Sequence, residues 1–139
     1  MSYAGDLNPQ EAWAKLEAGA ILVDVRTESE WAHIGVPETA SANAMGRDPL
    51  FIEWNLAGGI PNSKFVEQLK QQAPDPAGKE FLFLCRSGVR SVAAARAATE
   101  AGFVAYSVLE GFEGAPDQFG VRSVNGWKNR GLPTSGGRI

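Results

Sequence analysis

The sequence has 139 residues, of which 44% are hydrophobic and 21% are charged, and its formal net charge is −3. A chain of this length and apolar content suits one folded domain with a substantial core. We expect that domain to occupy residues 1–139, with an ordered core over about 5–133 and a frayed tail over 134–139. The slight excess of acidic groups disfavours a nucleic-acid-binding protein and a polybasic membrane-surface protein.

Residues that could form disulfides or metal sites are few, since the chain has one cysteine and one histidine. A single cysteine excludes a disulfide within the chain and a zinc site built from several cysteines. We therefore expect no metal and no organic cofactor. Residues 1–7 include the acidic Asp6 and no apolar run, and no later run approaches the roughly 18 apolar residues of a membrane-spanning helix. These features predict a cytoplasmic protein with a reduced thiol.

The first predicted elements are a helix, a strand and a second short helix. Asn8 is a suitable N-cap and Pro9 fits the first helical position, with a glutamate two residues later. The continuous apolar run over 21–25 predicts a strand buried on both faces. Thr27 then opens one or two helical turns that extend through Trp31.

The next stretch, 34–61, is rich in glycine and proline and predicts loops. Within it we expect a short strand over 41–44 and a helical turn over 50–54. Long loops in a small domain often form the rim of a functional site. Asn62 or Ser63 is predicted to cap the helix that follows.

The second half of the chain predicts two more strands with a helix between them. The run 81–84 is continuously apolar and leads directly into Cys85, and a helix is expected from about Ser91 to Gly102. A third strand is expected over 104–109. Strands that alternate with helices indicate an α/β fold of three layers, with a mainly parallel central sheet and helices on both faces. Ligands bind at the carboxyl ends of such strands, which is where Cys85 lies.

Cys85 is followed by a short loop that could stabilise an anion. The first amides of the next helix lack intrahelical acceptors, and the helix dipole places partial positive charge there. Gly88 would let the loop curl so that several N–H groups face one point, and Arg86 and Arg90 add positive charge. These features favour a thiolate nucleophile beside a cradle for an oxyanion, which suits thiosulfate, another sulfane-sulfur compound or a phosphoryl group. Ser91 is predicted to be the helix N-cap.

This segment resembles the cysteine loop of the rhodanese-like sulfurtransferase family. Further segments occur in the order found in that family. The motif and these segments are Cys85-Arg86-Ser87-Gly88-Val89-Arg90-Ser91, Asp24-Val25-Arg26, Glu30-Trp31, Val108-Leu109-Glu110-Gly111-Phe112, Gly126-Trp127-Lys128 and Gly131-Leu132-Pro133.

The resemblance implies a three-layer rhodanese-like domain and a reaction that passes through a persulfide. Cys85 would take sulfane sulfur from thiosulfate, release sulfite, and pass the sulfur to cyanide, a small thiol or a protein acceptor. Arg86 would hold the anionic donor, and Arg90 would brace the loop or bind donor oxygens. Asp24 and Arg26 would support the floor of the site.

The backbone amides of the loop would stabilise the extra sulfur, and they come from Ser87, Gly88, Val89, Arg90 and Ser91. The family's usual Gly-His-Ile-Pro-Gly-Ala segment is shifted here to one that begins at His33, so the role of this histidine stays open from the sequence.

Several alternatives remain open from the sequence. A lone cysteine at a strand end can be a small buried hydrophobic residue rather than a nucleophile. A rhodanese-like domain can also serve as a non-catalytic binding or regulatory module. A cysteine-dependent phosphatase would carry arginine six positions after the cysteine, where this chain has Ser91, with Arg90 one residue early. Phe51 and Trp54 could either wall the pocket or belong to the core.

Overall fold

The structure is a computed structural model that describes residues 2–136. Its helices and strands alternate along most of the chain. Over the described residues the strands are β1 (Gly5–Leu7), β2 (Ile21–Asp24), β3 (Val36–Pro37), β4 (Leu50–Phe51), β5 (Asn55–Leu56), β6 (Ile60–Pro61), β7 (Glu80–Leu84), β8 (Val104–Val108) and β9 (Thr134–Ser135). The α-helices are α1 (Pro9–Glu17), α2 (Glu28–Ile34), α3 (Phe65–Gln72) and α4 (Arg90–Glu100).

The centre of the molecule is a five-stranded sheet in the order β1-β8-β7-β2-β4. All four strand pairs in this sheet are parallel. In the middle of the sheet, Leu22 on β2 lies opposite Leu82 on β7. Apart from Asp24 and Glu80 at their ends, both strands are apolar on both faces, so the strands predicted from continuous apolar runs are confirmed.

Helices cover both faces of the sheet, which confirms the predicted three-layer α/β fold. Helices α3 and α4 cover one face and α1 covers the other. The first core includes Val23, Phe65, Leu69, Phe83, Ala94 and Ala98, and the second includes Leu16, Leu22, Leu84, Phe112 and Trp127. Among residues 2–136, no helix combines the length and the apolar character needed to cross a bilayer.

The irregular stretch between α2 and α3 differs from the prediction in two places. A single 3₁₀ turn, Ala40–Ala42, stands where a strand over 41–44 was expected, because the Glu38 carboxylate accepts hydrogen bonds from the Ser41 amide and hydroxyl. The helical turn expected over 50–54 is also wrong. Instead β4 pairs with the edge of β2, and this long-range pairing overrides the local preference.

The helix caps are partly as predicted. Asn8 and Glu11 form a full capping box at the start of α1. The N-cap of α3 is Lys64 rather than Asn62 or Ser63, because the Asn62 side chain instead accepts the Lys64 amide in a turn just before the helix.

The end of the described chain is also more regular than expected. Thr134 and Ser135, placed in a frayed tail by the sequence, pair as β9 with Val36 and Pro37 of β3. The prediction of a frayed tail is corrected at these two positions, and its last residues, 137–139, lie outside the described residues.

Candidate active site

Cys85 follows β7 directly, at the carboxyl end of the central sheet. It is 1% exposed, and its Sγ accepts a hydrogen bond from the Gly88 N–H at 3.1 Å. The Ser91 Oγ lies 3.4 Å from the same sulfur. The buried thiol therefore has polar partners on the side of the loop, although it also belongs to the apolar core beneath α4.

A second hydroxyl extends this contact. The Oγ atoms of Ser91 and Ser107 are 2.9 Å apart, and both residues are completely buried. A hydroxyl can donate or accept, so Ser91 accepts a hydrogen bond from the Cys85 thiol here and, with both hydroxyls turned round, can donate one to a thiolate. The arrangement can thus stabilise the sulfur of Cys85 in either protonation state.

The predicted role of Ser91 as a helix cap is wrong. Helix α4 begins at Arg90, and its N-cap position is Val89, whose side chain has no group that can cap. The Ser91 hydroxyl points instead to Cys85 and Ser107.

Gly88 shapes the loop above the sulfur. Its φ of 108° lies in the region that residues with a Cβ rarely adopt, and this conformation turns its amide toward the Cys85 sulfur. Arg86, Ser87 and Val89 around it are exposed, Val89 to 77%. Gly88 N–H supplies the backbone contact to the sulfur, and a cradle formed by all the amides of residues 87–91 stays a prediction.

The turn after β8 is hydrogen-bonded to the backbone of the cysteine loop. The Phe112 N–H donates to the Cys85 carbonyl at 2.8 Å, and the Glu113 N–H donates to the Arg86 carbonyl at 3.0 Å. Gly111 comes so close that a Cβ on it would lie 2.5 Å from the Cys85 carbonyl oxygen. The first two peptide groups of the loop are therefore fixed in orientation.

Arg86 extends outward from the loop. Its Nε donates to the Glu113 carboxylate at 3.1 Å, and its side chain is still 48% exposed. Arg86 and Glu113 line a small cavity of about 240 Å³ together with His33. This side chain could meet an anionic donor as it approaches the loop.

Arg90 is bound to α2 through an ion pair with Glu30. Its two terminal nitrogens contact the two carboxylate oxygens of Glu30 at 2.8 and 3.0 Å. Burial pushes the pKa of Glu30 upward, but hydrogen bonds from Arg90 and Thr27 outweigh burial and hold that pKa below its ordinary value. The hydrogen bonds to Glu30 raise the pKa of Arg90, and the charges of Cys85 and Asp24 add to the increase.

Asp24 and Arg26 form a completely buried ion pair beside the site, with Arg26 Nη2 2.8 Å from Asp24 Oδ2. The same nitrogen donates to the Gly35 carbonyl at 2.9 Å. The guanidinium also stacks on the Phe112 ring at 4.2 Å. The Phe112 N–H donates to the Cys85 carbonyl, so the pair reaches the loop through Phe112, and its role as the floor of the site stays a prediction.

His33 and two aromatic residues of the long loop were uncertain from sequence. His33 Nδ1 donates to the Ser29 carbonyl at 2.8 Å, since a carbonyl can only accept. Trp54 packs edge-on against Phe65 of the core at 4.9 Å. Phe51 packs against Trp31 in the same way. Aromatic packing is thus the structural role of Trp54 and Phe51.

Sequence reasoning missed three partners of the loop: Ser107, Gly111 and Glu113. A signal for Ser107 existed, because it is a small polar residue in a strand that is otherwise mostly apolar. Gly111 stands in the family segment 108–112, but that segment gives no sign of its contact with the loop, and no signal marks Glu113, because both contacts join residues 25 or more positions apart. Among residues 2–136, no three His, Cys, Asp or Glu side chains come together as a possible metal site.

Comparison with known proteins shows which family and which proteins this chain is similar to. The chain matches the rhodanese-like domain over residues 8–114. It is 36% identical over 115 residues to an uncharacterised protein of Rickettsia rickettsii, covering 82% of this chain and 81% of that protein. It is 32% identical over 123 residues to the thiosulfate:glutathione sulfurtransferase of Saccharomyces cerevisiae, covering 84% and 70% respectively.

A solved structure is similar over nearly the whole chain. The crystal structure of Rv0390 from M. tuberculosis has 45% identity and a TM-score of 0.88, and the match covers 98% of this chain and 100% of that one. Taken with the match over residues 8–114 and the parallel sheet that carries the cysteine loop, these similarities show that the chain belongs to the rhodanese-like domain family.

Proposed function

We propose that this protein is a sulfurtransferase that carries sulfane sulfur as a persulfide on Cys85. The donor is thiosulfate or a related small anion, and the acceptor is a thiol or cyanide. The observation that carries the proposal is the Gly88 N–H, which donates to the Cys85 sulfur at 3.1 Å, together with the Ser91 hydroxyl, which accepts from the thiol at 3.4 Å and can donate once the sulfur is a thiolate. Such donors favour a charged sulfur over a neutral one.

In the first step the Cys85 thiolate attacks the outer sulfur of thiosulfate. A new S–S bond forms to Cys85, the S–S bond of thiosulfate breaks, and its electron pair leaves with sulfite. The enzyme then holds a persulfide anion, and charge is conserved because sulfite carries two negative charges. Arg86, 48% exposed at its side chain, attracts the donor by its charge.

In the second step an acceptor thiol takes the outer sulfur. The acceptor sulfur bonds to the outer sulfur of the persulfide, the bond to Cys85 breaks, and the electron pair stays on Cys85 as a thiolate. The thiol proton remains with the new persulfide of the acceptor, so no further reactant is needed. The hydroxyls of Ser91 and Ser107 can stabilise the returning thiolate.

Phosphatase chemistry is less well supported. A phosphoryl group needs a guanidinium that is free to bind its oxygens. Arg90 already has both terminal nitrogens on the Glu30 carboxylate. The loop from Cys85 to Arg90 is also one residue shorter than the phosphatase pattern.

Mass spectrometry of the intact protein after incubation with thiosulfate tests the proposal. The wild type should gain the mass of one sulfur atom, and the gain should disappear on treatment with excess cyanide, with thiocyanate formed. Cys85→Ser should gain nothing, and Ser63→Ala, an exposed change, should behave as the wild type. A wild type that takes up no sulfur would support the binding-module alternative and reject the proposal.

A further inference from the structure

Strand β8 places a polar side chain against the apolar core under α4. Ser107 lies opposite Phe83 on β7, and Cys85 stands two residues beyond Phe83, so the three side chains share one face of the sheet. That face also carries Ala105 and is otherwise apolar. A hydroxyl that is completely buried on such a face needs a hydrogen-bonding partner.

The partner of the Ser107 hydroxyl, among the described residues, is the Ser91 hydroxyl at 2.9 Å. The Ser91 hydroxyl in turn lies 3.4 Å from the Cys85 sulfur and accepts a hydrogen bond from the thiol. The two serines and the cysteine are all buried. They form a short hydrogen-bonded chain that begins at the sulfur and ends at Ser107, so the hydrogen-bonding influence of Ser107 on the sulfur passes through Ser91.

The two protonation states of the sulfur require opposite directions along this chain. A thiol donates to Ser91, and the Ser91 hydroxyl then donates to Ser107. A thiolate accepts from Ser91, and the Ser91 oxygen then accepts from Ser107. Because a hydroxyl has one hydrogen, Ser91 donates either to the sulfur or to Ser107 but not to both.

The thiolate direction gains more from Ser107 than the thiol direction does. A hydrogen bond to a charged group is roughly twice as strong as one between neutral groups. Donation from Ser107 polarises the Ser91 hydroxyl and strengthens this bond further. In the thiol direction, the bond that Ser107 strengthens comes from an S–H group, which is a weak donor. Ser107 therefore stabilises the thiolate more than it stabilises the thiol.

The charged side chains around the loop are already paired with one another. The guanidinium and carboxylate groups of each pair hold each other in place, whereas a hydroxyl hydrogen can rotate to suit its partners. The two serine hydroxyls are therefore well suited to follow a change of charge on the sulfur. The ion pairs around the loop are Glu30–Arg90, Asp24–Arg26 and Glu113–Arg86.

We propose that Ser107 is a positioning residue that favours the charged form of the Cys85 sulfur by orienting the Ser91 hydroxyl toward it. The inference rests on the proposed function for its catalytic meaning, because the thiolate is both the nucleophile in the first step and the leaving group in the second. No bond is made or broken at Ser107. Its effect on the sulfur depends on the Ser91 hydroxyl being present.

The alkylation of Cys85 by iodoacetamide tests this dependence in the wild type, Ser91→Ala, Ser107→Ala and the double variant. At neutral pH, Ser107→Ala should react about twofold more slowly than the wild type, because a hydrogen bond loses roughly 10–30% of its strength without the neighbour that polarises it. The same change made in Ser91→Ala should have no further effect. At an alkaline pH that ionises the thiol in every variant, the difference between the wild type and Ser107→Ala should disappear, whereas a change in packing would slow alkylation at both pH values.

Two further variants separate the hydroxyl from the shape of the side chain. Ser107→Thr keeps the hydroxyl, and Ser107→Val has nearly the same shape without it, so the effect of the added methyl group is common to both. At neutral pH, Ser107→Thr should be alkylated about twofold faster than Ser107→Val. Ser63→Ala, an exposed change outside the cysteine loop, should react as the wild type does.

The outcomes separate this inference from the proposed function. If Ser107→Ala slows alkylation equally with and without the Ser91 hydroxyl, or if Ser107→Thr and Ser107→Val react at equal rates, the inference is wrong, even when thiosulfate still loads Cys85. If thiosulfate does not load Cys85 in the wild type, the proposed function fails. Coupling between Ser91 and Ser107 in the alkylation rates would then still support the role of Ser107 in favouring the charged sulfur.

Discussion

The sulfur of Cys85 is linked to strand β8 by two buried hydroxyls in a row. Ser91 touches the sulfur and Ser107 touches Ser91. When the sulfur is a thiolate, the Ser91 hydroxyl donates to it and the Ser107 hydroxyl can donate to Ser91, and such a chain strengthens each of its hydrogen bonds. The contribution of Ser91 to reactivity is therefore measurable at a single residue.

Ser91→Ala should slow the alkylation of Cys85 by iodoacetamide at neutral pH by about fivefold, which corresponds to the loss of about 1 kcal/mol from one hydrogen bond. The rate of persulfide formation from thiosulfate should fall by a similar factor. Both rates are measured by mass spectrometry of quenched samples.

Ser91→Thr keeps the hydroxyl and should restore most of the alkylation rate, whereas a loss caused only by altered packing would persist. Ser63→Ala, an exposed change outside the cysteine loop, should leave the rate unchanged. An alkylation rate in Ser91→Ala equal to that of the wild type would show that the Ser91 hydroxyl does not contribute to the reactivity of Cys85.

At the scale of secondary-structure elements, the turn after β8 packs against the cysteine loop and binds its backbone. Phe112 and Glu113 donate backbone hydrogen bonds to the loop carbonyls, and Phe112 also stacks on the buried Arg26. The loop is thus held between β7, from which it emerges, and a turn that belongs to another strand. Gly111 is the point of closest approach between the two.

Gly111→Ala should destabilise the protein more than Gly120→Ala. Both positions have positive φ, 66° and 79°, so both variants carry backbone strain. A Cβ at Gly111 would lie 2.5 Å from loop backbone atoms, whereas a Cβ at Gly120 would have no described neighbour within 4 Å. We expect an additional loss of about 1–3 kcal/mol from the steric conflict.

Urea unfolding of both variants measures the difference, and the rate of persulfide formation reports the loop itself. Gly111→Ala should form the persulfide more slowly because the clash displaces the carbonyl of Cys85. Equal unfolding free energies for the two alanine variants would show that the turn is not pressed against the loop.

At the scale of the whole molecule, the Glu30–Arg90 pair ties α2 to α4, two helices that are far apart in the sequence. Burial alone would raise the pKa of Glu30, but the hydrogen bonds from Arg90 and Thr27 lower it in the folded protein. The unfolded chain binds this proton more readily than the folded protein does. The pair therefore stabilises the fold fully above the ordinary pKa of Glu30, and this stabilisation disappears as the pH falls through the lowered value.

The free energy of unfolding should fall as the pH is lowered from about 6 to about 3, and Glu30→Gln should reduce the slope. The variant should also be less stable at neutral pH, by about 1–3 kcal/mol, because Arg90 loses a charged partner. Urea unfolding at a series of pH values measures both effects. A slope in Glu30→Gln identical to that of the wild type would contradict the assignment.

The sequence contains enough information to predict the three inner strands of the sheet, β8, β7 and β2, and the position of Cys85 after β7. The apolar runs 21–25 and 81–84 form the central strands because burial on both faces requires such runs, and Cys85 follows from the second run. The short strand β4 could not be predicted, because residues 50–51 become extended by pairing with β2 rather than by their own preference.

The site itself is predicted only where it is local in sequence. Gly88 and the two arginines of the loop stand close to Cys85 along the chain, so their proximity follows from the motif. Ser107 reaches the site only through the fold. Ser91 was misread as a cap for the same reason, since its partner on β8 lies 16 residues away.

The burial of Cys85 determines which oxidation products this residue forms when the protein is stored in air. A disulfide between two molecules needs the two Cβ atoms to come within about 4 Å of each other, and a residue that is 1% exposed cannot approach its counterpart so closely. Cross-linked dimers should not accumulate on storage. Small oxidants such as hydrogen peroxide should instead convert the residue to the sulfenic acid, which low-molecular-weight reductants can reverse.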